Sequence, residues 1–211
     1  MIKNLRFVLF LSVAGMALAL NAGAQEAREI RKTVPLKDDG MVSIDTYKGS
    51  INIESWDRME VDISVRIESD EFSSEDDEKA QDTEILIDAT SSGVRIKTDY
   101  DKVKKSHSFW GIFEGDFGNL PLVHYTIKMP VKARLKIKDY KSTTSIGELR
   151  SKIDLYTYKG EVEIKDLTGG LELETYKGDC LIRFAKLAER STFETYKCTI
   201  EIVMPSASAF E

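Results

Sequence analysis

The run Ile153-Asp154-Leu155-Tyr156-Thr157-Tyr158-Lys159-Gly160-Glu161-Val162-Glu163-Ile164 alternates apolar and polar residues twice, in two different phases. Up to Tyr158 the core-type side chains are Ile153, Leu155 and Thr157, on odd positions; beyond it they are Val162 and Ile164, on even ones. Alternation of period two describes a strand with one buried face. A slip of one residue would turn that face outward, so the chain must bend at Tyr158-Lys159-Gly160 to keep its apolar set inside. Glycine at the third position suits a bend, because it tolerates backbone angles that other residues resist. A second turn follows at Lys165-Asp166-Leu167-Thr168-Gly169-Gly170, with Leu167 directed inward like Leu149. The unit is strand, bend, strand, turn.

The unit repeats. Tyr47-Lys48-Gly49, Tyr140-Lys141-Ser142, Tyr158-Lys159-Gly160, Tyr176-Lys177-Gly178 and Tyr196-Lys197-Cys198 share the tripeptide or a close variant, and the last four tyrosines are 18, 18 and 20 residues apart. Three residues before each tyrosine stand Ile44, Ile137, Leu155, Leu173 and Phe193; six after stand Ile53, Ile146, Ile164, Ile182 and Ile202. A unit that cannot bury its own face is stabilised by stacking copies about 4.8 Å apart. The expected fold is therefore all-β: a single-stranded β-solenoid with coils of about 18–20 residues. An antiparallel sandwich of short hairpins also gives evenly spaced strands, but it does not call for one residue type in one slot. In the solenoid, the five tyrosines form a column on one outer corner. Their lysines stand beside them and lean toward acids such as Glu161, Asp179, Glu174 and Glu194.

Tyr47 precedes Tyr140 by 93 residues, so the chain between them leaves the stack and returns. Met59 to Glu68, Ile85 to Ile87, Val94 to Lys97 and Val123 to Lys128 alternate as longer strands, predicting an extra sheet beside the first coil. Glu68 to Glu84 carries nine acids and one lysine, and Ser73 or Ser74 is placed to cap a short helix there. With no calcium-loop pattern, this is a solvated acidic excursion. Phe109, Trp110, Ile112, Phe113 and Phe117, interleaved with glycines, form a loop that either lids the open end of the stack or binds a partner.

The first segment reads as an address. Lys3 and Arg6 precede a 14-residue apolar run, Phe7 to Leu20, and Ala22-Gly23-Ala24 is a small-residue cleavage signal. Residues 1–24 are thus expected to be a secretory signal peptide, the rival being an uncleaved anchor, and residues 25–211 the solenoid domain. The remaining 187 residues suffice for one core. They contain no further transmembrane segment, and the expected location is periplasmic, cell-surface associated or secreted. A formal charge of −6 over the whole chain argues against nucleic acid as a partner.

Val42-Ser43-Ile44 leading into Gly49-Ser50-Ile51-Asn52-Ile53, then Trp56-Asp57 and a strand of alternating valine and isoleucine, resembles the opening of bacterial adhesin-like domains of the auto-transporter adhesin head group. Val123 to Met129 closing on Pro130, followed by glycine-bearing repeats, is similar to that family's second half. The resemblance covers nearly all of the mature chain. It implies a β-solenoid, but no catalytic residues, because the family has no agreed ones. The Tyr-Lys signature departs from the family's small polar residues before glycine. The chain stops at Phe210-Glu211, soon after Pro205, where many members continue into another repeat, and this leaves a truncated chain open as an alternative.

The chain has no G-x-S-x-G, phosphate loop, H-E-x-x-H or C-x-x-C, so no cofactor, metal or catalytic residue is expected. His107 and His124 read as surface or edge side chains. Glu161 with Asp179, and Glu163 with Glu201, share outward columns and keep a carbohydrate-processing β-helix enzyme as the rival reading. Cys180 lies in the inward column and Cys198 in the glycine slot one coil on. On a flat lattice their Cα atoms are about 8 Å apart, beyond the reach of an unstrained bridge, although the bend could shorten it. Both a disulfide and two buried thiols stay open. The leading expectation is a non-enzymatic, adhesin-like envelope module for an envelope protein or surface glycan, with a structural spacer or sensor as a further class. Phe109, Trp110, Phe113 and Phe117 are the favoured protein-binding residues. Tyr47, Tyr140, Tyr158, Tyr176 and Tyr196, with Lys48, Lys141, Lys159, Lys177 and Lys197, read as a structural ladder.

Overall fold

The phase slip at each Tyr-Lys corner appears as a junction between two strand arms, and each arm pairs with the matching arm of the neighbouring repeat. The computed structural model describes residues 27–70, 73–106 and 120–206. Residues 1–24, His107 and the aromatic loop with Phe109, Trp110, Phe113 and Phe117 lie outside the described residues. In chain order the elements are β1 (Arg28–Pro35), β2 (Met41–Asp45), β3 (Lys48–Trp56), β4 (Glu60–Glu68), α1 (Ser74–Asp82), β5 (Glu84–Thr90), β6 (Gly93–Asp99), α2 (Asp101–Ser106), β7 (Leu122–Pro130), β8 (Arg134–Ile146), β9 (Ile153–Lys159), β10 (Val162–Gly169), β11 (Leu171–Leu187) and β12 (Thr192–Val203). Among the described residues the protein is all-β with two short helices, one more than expected.

The repeat columns are register columns. In the arm before the bend, Ile44 faces Ile137, then Leu155, Leu173 and Phe193 follow, all in parallel pairing. In the arm after it, Ile53, Ile146, Ile164, Ile182 and Ile202 line up the same way. The first four of those isoleucines are buried, and each contributes roughly 1.5–3 kcal/mol by leaving water. The parallel pairing disposes of the sandwich of hairpins.

The strand count per coil differs from a simple stack. β8 and β11 run through the bend unbroken, whereas the middle coil is divided into β9 and β10. The first half of β8 pairs with β9 and its second half with β10; β11 does the same on the other side. Pairing therefore closes a circuit β8–β9–β11–β10. The break falls at Gly160, which the other long strands replace with Ser142 or carry within a continuous run.

The chain between Tyr47 and Tyr140 supplies the extra sheet. β6 continues the first arm beyond β2, and β7 continues the second arm beyond β3, both in parallel. Antiparallel strands then extend the arms: β5 on β6, and β4 followed by β1 on β7. The segment holding the aromatic loop thus leaves β6 at Asp99 and re-enters β7 at Leu122, the place where other coils bend. α1 begins where Ser73 Oγ accepts the backbone N–H of Asp76, with Glu75, Asp76 and Asp77 in its first turn.

Candidate functional site

The spacing of strands dictates the corner. Residues in one slot of parallel coils stand about 4.8 Å apart, which is also a comfortable separation for parallel aromatic rings. Tyr47 stacks on Tyr140 at 4.6 Å, Tyr140 on Tyr158 at 4.8 Å, Tyr158 on Tyr176 at 4.8 Å and Tyr176 on Tyr196 at 5.0 Å, with ring planes within 13° of parallel. Tyr100 closes the Tyr47 end edge-on, at 6.5 Å and 81°. Stacking covers both faces of the three central rings, which remain 37–38% exposed through their edges, whereas Tyr196 is 67% exposed. The central rings therefore present their edges and hydroxyls along the column, while Tyr196 is stacked by another tyrosine on one face only. Burial raises the Tyr47 hydroxyl above its ordinary pKa, with the neighbouring Tyr140 adding to the shift.

Beneath the rings runs a polar column. Asp139, Thr157, Thr175 and Thr195 are register partners, and Thr46 occupies the same slot one coil earlier. Asp139 accepts from the Ser142 backbone N–H at 2.9 Å, the Ser142 hydroxyl at 2.6 Å and the Thr157 hydroxyl at 2.9 Å. Burial nevertheless holds its carboxyl above the usual range. On this side lies an open groove of about 820 Å³, lined by Asp139, Thr157, Thr175 and tyrosine edges, with Lys136, Lys138, Tyr156, Glu174 and Glu194 also bordering it.

The lysines form a second column on the other side of the corner. Lys48 pairs in register with Lys141, Lys141 with Lys159, Lys159 with Lys177 and Lys177 with Lys197. The first four line a hollow of about 540 Å³, together with Gly49, Gly160 and Gly178. Two ammonium groups at this spacing repel by about 0.9 kcal/mol even in bulk water. The lysines do not relieve this by leaning on Glu161, Asp179, Glu174 or Glu194, contrary to the expectation above. The ammonium groups of Lys159 and Lys197 lie 5.3 and 5.5 Å from the centres of their own tyrosine rings, and Lys48 meets Asp70. Those four acids are exposed to solvent, and it is the neighbouring Glu163 that takes cations, Lys165 at 3.1 Å and Arg183 at 3.4 Å.

His124 is not an edge residue. β7 lies between β4 and β3, and His124 Nδ1 is 2.8 Å from Ser50 Oγ while Nε2 is 3.1 Å from Glu68 Oε1. Sequence reading missed this trio, since Ser50, Glu68 and His124 belong to no shared period. The order resembles a nucleophile, base and acid, but β3 is paired on both sides around Ser50, so the ladder takes up the backbone N–H groups that an oxyanion hole would need. It reads as a cross-strand hydrogen-bond network. Cys180 and Cys198, by contrast, touch: their sulfurs are 3.5 Å apart.

No family model and no curated protein matches the chain. Among solved structures, a candidate cell adhesion protein from Clostridium sporogenes is similar over 85% of this chain and 100% of its own, at 7% identity and a TM-score of 0.49. A candidate lipid-binding protein from Parabacteroides distasonis aligns over 84% and 97% at 7% identity and TM-score 0.26. A candidate adhesin from Parabacteroides merdae aligns over 83% and 96% at 9% identity and TM-score 0.24. Among the described residues no helix is long and apolar enough to cross a membrane.

Proposed function

We propose that the protein is an exported, non-enzymatic β-solenoid that serves as an adhesin-like surface-binding module, holding an extended acidic glycan along its Tyr-Lys corner. The observation that carries this reading is the register of Lys141, Lys159, Lys177 and Lys197, four exposed like charges on one column of an otherwise acidic chain, which Lys48, paired with Asp70, continues by one position. Like charges directly opposite one another destabilise a sheet. An anionic polymer running along the stack converts that repulsion into attraction at each exposed lysine, over a span of about 14 Å. The overall negative charge opposes such a ligand weakly, because at physiological salt charges more than about 8 Å away are largely screened. Tyrosine hydroxyls and the threonine-lined groove add hydrogen-bonding groups on the adjoining side. The charged, apolar and small-residue order of residues 1–24 supports export, and the parallel ladders support the solenoid description.

The aromatic loop was the favoured surface on sequence grounds. The lysine register supports the corner instead for a polymeric ligand, and leaves the loop available for a protein contact. The test is retention of the full chain on a panel of immobilised polysaccharides, with the eluate analysed for cleavage products. Retention on polyuronates over neutral polymers of equal length, without cleavage, is expected. Equal retention on both would remove the charge argument, and released oligosaccharides would make the protein an enzyme.

A further inference from the structure

We propose that Cys180 and Cys198 form an oxidation site, an intrachain disulfide that fastens β12 to β11 and locks the last tyrosine and lysine of the corner into register. The proposal does not depend on what the corner binds. These are the chain's two cysteines, and their sulfurs are in van der Waals contact at 3.5 Å. They need to approach by about 1.5 Å to reach bonding distance, a displacement within the range of side-chain rotation.

The local structure explains how side chains two residues and one coil apart meet. Cys180 faces Ile200 and Cys198 faces Gly178 in the parallel ladder. Cys198 thus sits directly over a residue with no side chain, so its sulfur has room to reach along the strand toward Cys180. The flat lattice considered Cα positions alone and overlooked this vacancy. Where the coils below carry glycine or serine at the same corner position, no such pair can form.

The two thiols differ in a way that sets the order of events. Cys198 is half-exposed, whereas Cys180 is buried, and burial pushes the Cys180 thiol up to about 12. Cys198 is therefore the thiol that an external oxidant reaches first. Its thiolate attacks one sulfur of an external disulfide oxidant, forming a mixed disulfide and expelling one thiolate. Cys180 then gives up its proton and attacks Cys198 Sγ, closing the internal bond and expelling the second thiolate. Two protein thiols become one disulfide as one oxidant disulfide becomes two thiols, so electrons and protons balance.

The bond has something to stabilise. Among the described residues β12 pairs on one side only, with β11, and its inward Phe193, Cys198 and Ile200 are half-buried where Leu173 and Cys180 one coil below are buried. A strand held by one edge opens locally at a lower free energy than its neighbours. Closing the 180–198 loop removes that freedom from the unfolded chain as well.

The experiment treats reduced full-length protein with oxidised glutathione and follows intact mass, iodoacetamide labelling and thermal unfolding. The expected product is a monomer lighter by about 2 Da, with no alkylatable thiol and a Tm higher by roughly 5–10 °C, reversed by dithiothreitol. Cys198→Ser replaces a half-exposed thiol and should fold, yet show neither the mass change nor the redox-dependent Tm. A glutathione adduct that never resolves, two thiols still alkylated after oxidation, or an unchanged Tm in the −2 Da product would each overturn the proposal.

Discussion

Gly178 is positioned so that a Cβ added to it would collide with the carbonyl oxygen of Gly160, the residue one coil away in the same slot. Its φ of +140° is also one that side-chain-bearing residues rarely adopt. The tight corner and the close approach of successive coils therefore share one cause. Gly178→Ala is expected to destabilise the fold by about 2–4 kcal/mol. Gly93→Ala, where the nearest atom is Met41 O at 3.7 Å, is expected to be nearly neutral. Denaturant unfolding of both variants checks the comparison.

Ile164 stands between Ile146 and Ile182 in the register and is fully buried, whereas Glu163 beside it faces out. Ile164→Asp places an unpaired charge in the core and should cost more than about 4 kcal/mol, or prevent folding. Glu163→Ala removes partly exposed contacts with Lys165 and Arg183 and should cost under about 1 kcal/mol. Equal melting temperatures would contradict the assigned parity.

The tyrosine stack separates ring from hydroxyl. Tyr158 stacks on Tyr140 and Tyr176, so Tyr158→Ala loses two ring contacts and is expected to cost roughly 1–3 kcal/mol. Tyr158→Phe keeps both contacts and should stay within about 0.5 kcal/mol of the wild type. Equilibrium unfolding measures the difference.

Asp139 gives a pH signature. Burial raises its pKa in the folded state, against the opposing effect of its hydrogen bonds from Ser142 and Thr157. A carboxyl with a raised folded pKa contributes stability that is full below the unfolded pKa and lost as pH rises through the folded one. Glu172 has the opposite sign: hydrogen bonds from Lys152 and Tyr156 lower its pKa, so its contribution is present above the unfolded pKa and lost on acidification through the folded one. Asp139→Asn should abolish the loss of stability with rising pH just above the ordinary carboxylate range, and Glu172→Gln should retain it. Urea titrations at successive pH values provide the readout.

The stacked half of the molecule was legible because each coil writes the same parity slip and places Tyr, Lys and Ile in the same slots. Among the extra strands β1, whose Arg28-Glu29-Ile30-Arg31-Lys32 is mostly charged, was not legible, whereas the other four, β4 to β7, were legible as strands, from period-two alternation such as that in Val61 to Ile67 and Val123 to Ile127. Their partners were not, because antiparallel pairing of β4 with β7 across more than fifty residues leaves no periodic mark. The Ser50–His124–Glu68 network depends on that pairing and was invisible for the same reason. The sulfur contact escaped because it depends on which way two side chains lean, and lattice spacing carries no information on that.

The central claim is that the lysine column binds an acidic polymer. Its most direct test is titration of a polyuronate oligomer spanning about 20 Å into the wild type and into a Lys141→Ala/Lys159→Ala/Lys177→Ala variant at several salt concentrations. Those lysines are exposed, so removing them should leave the fold intact and relieve repulsion within the column. The account predicts salt-sensitive binding by the wild type, and affinity lower by about tenfold or more with a flattened salt dependence in the variant. The same Kd and the same salt dependence in both proteins would contradict it.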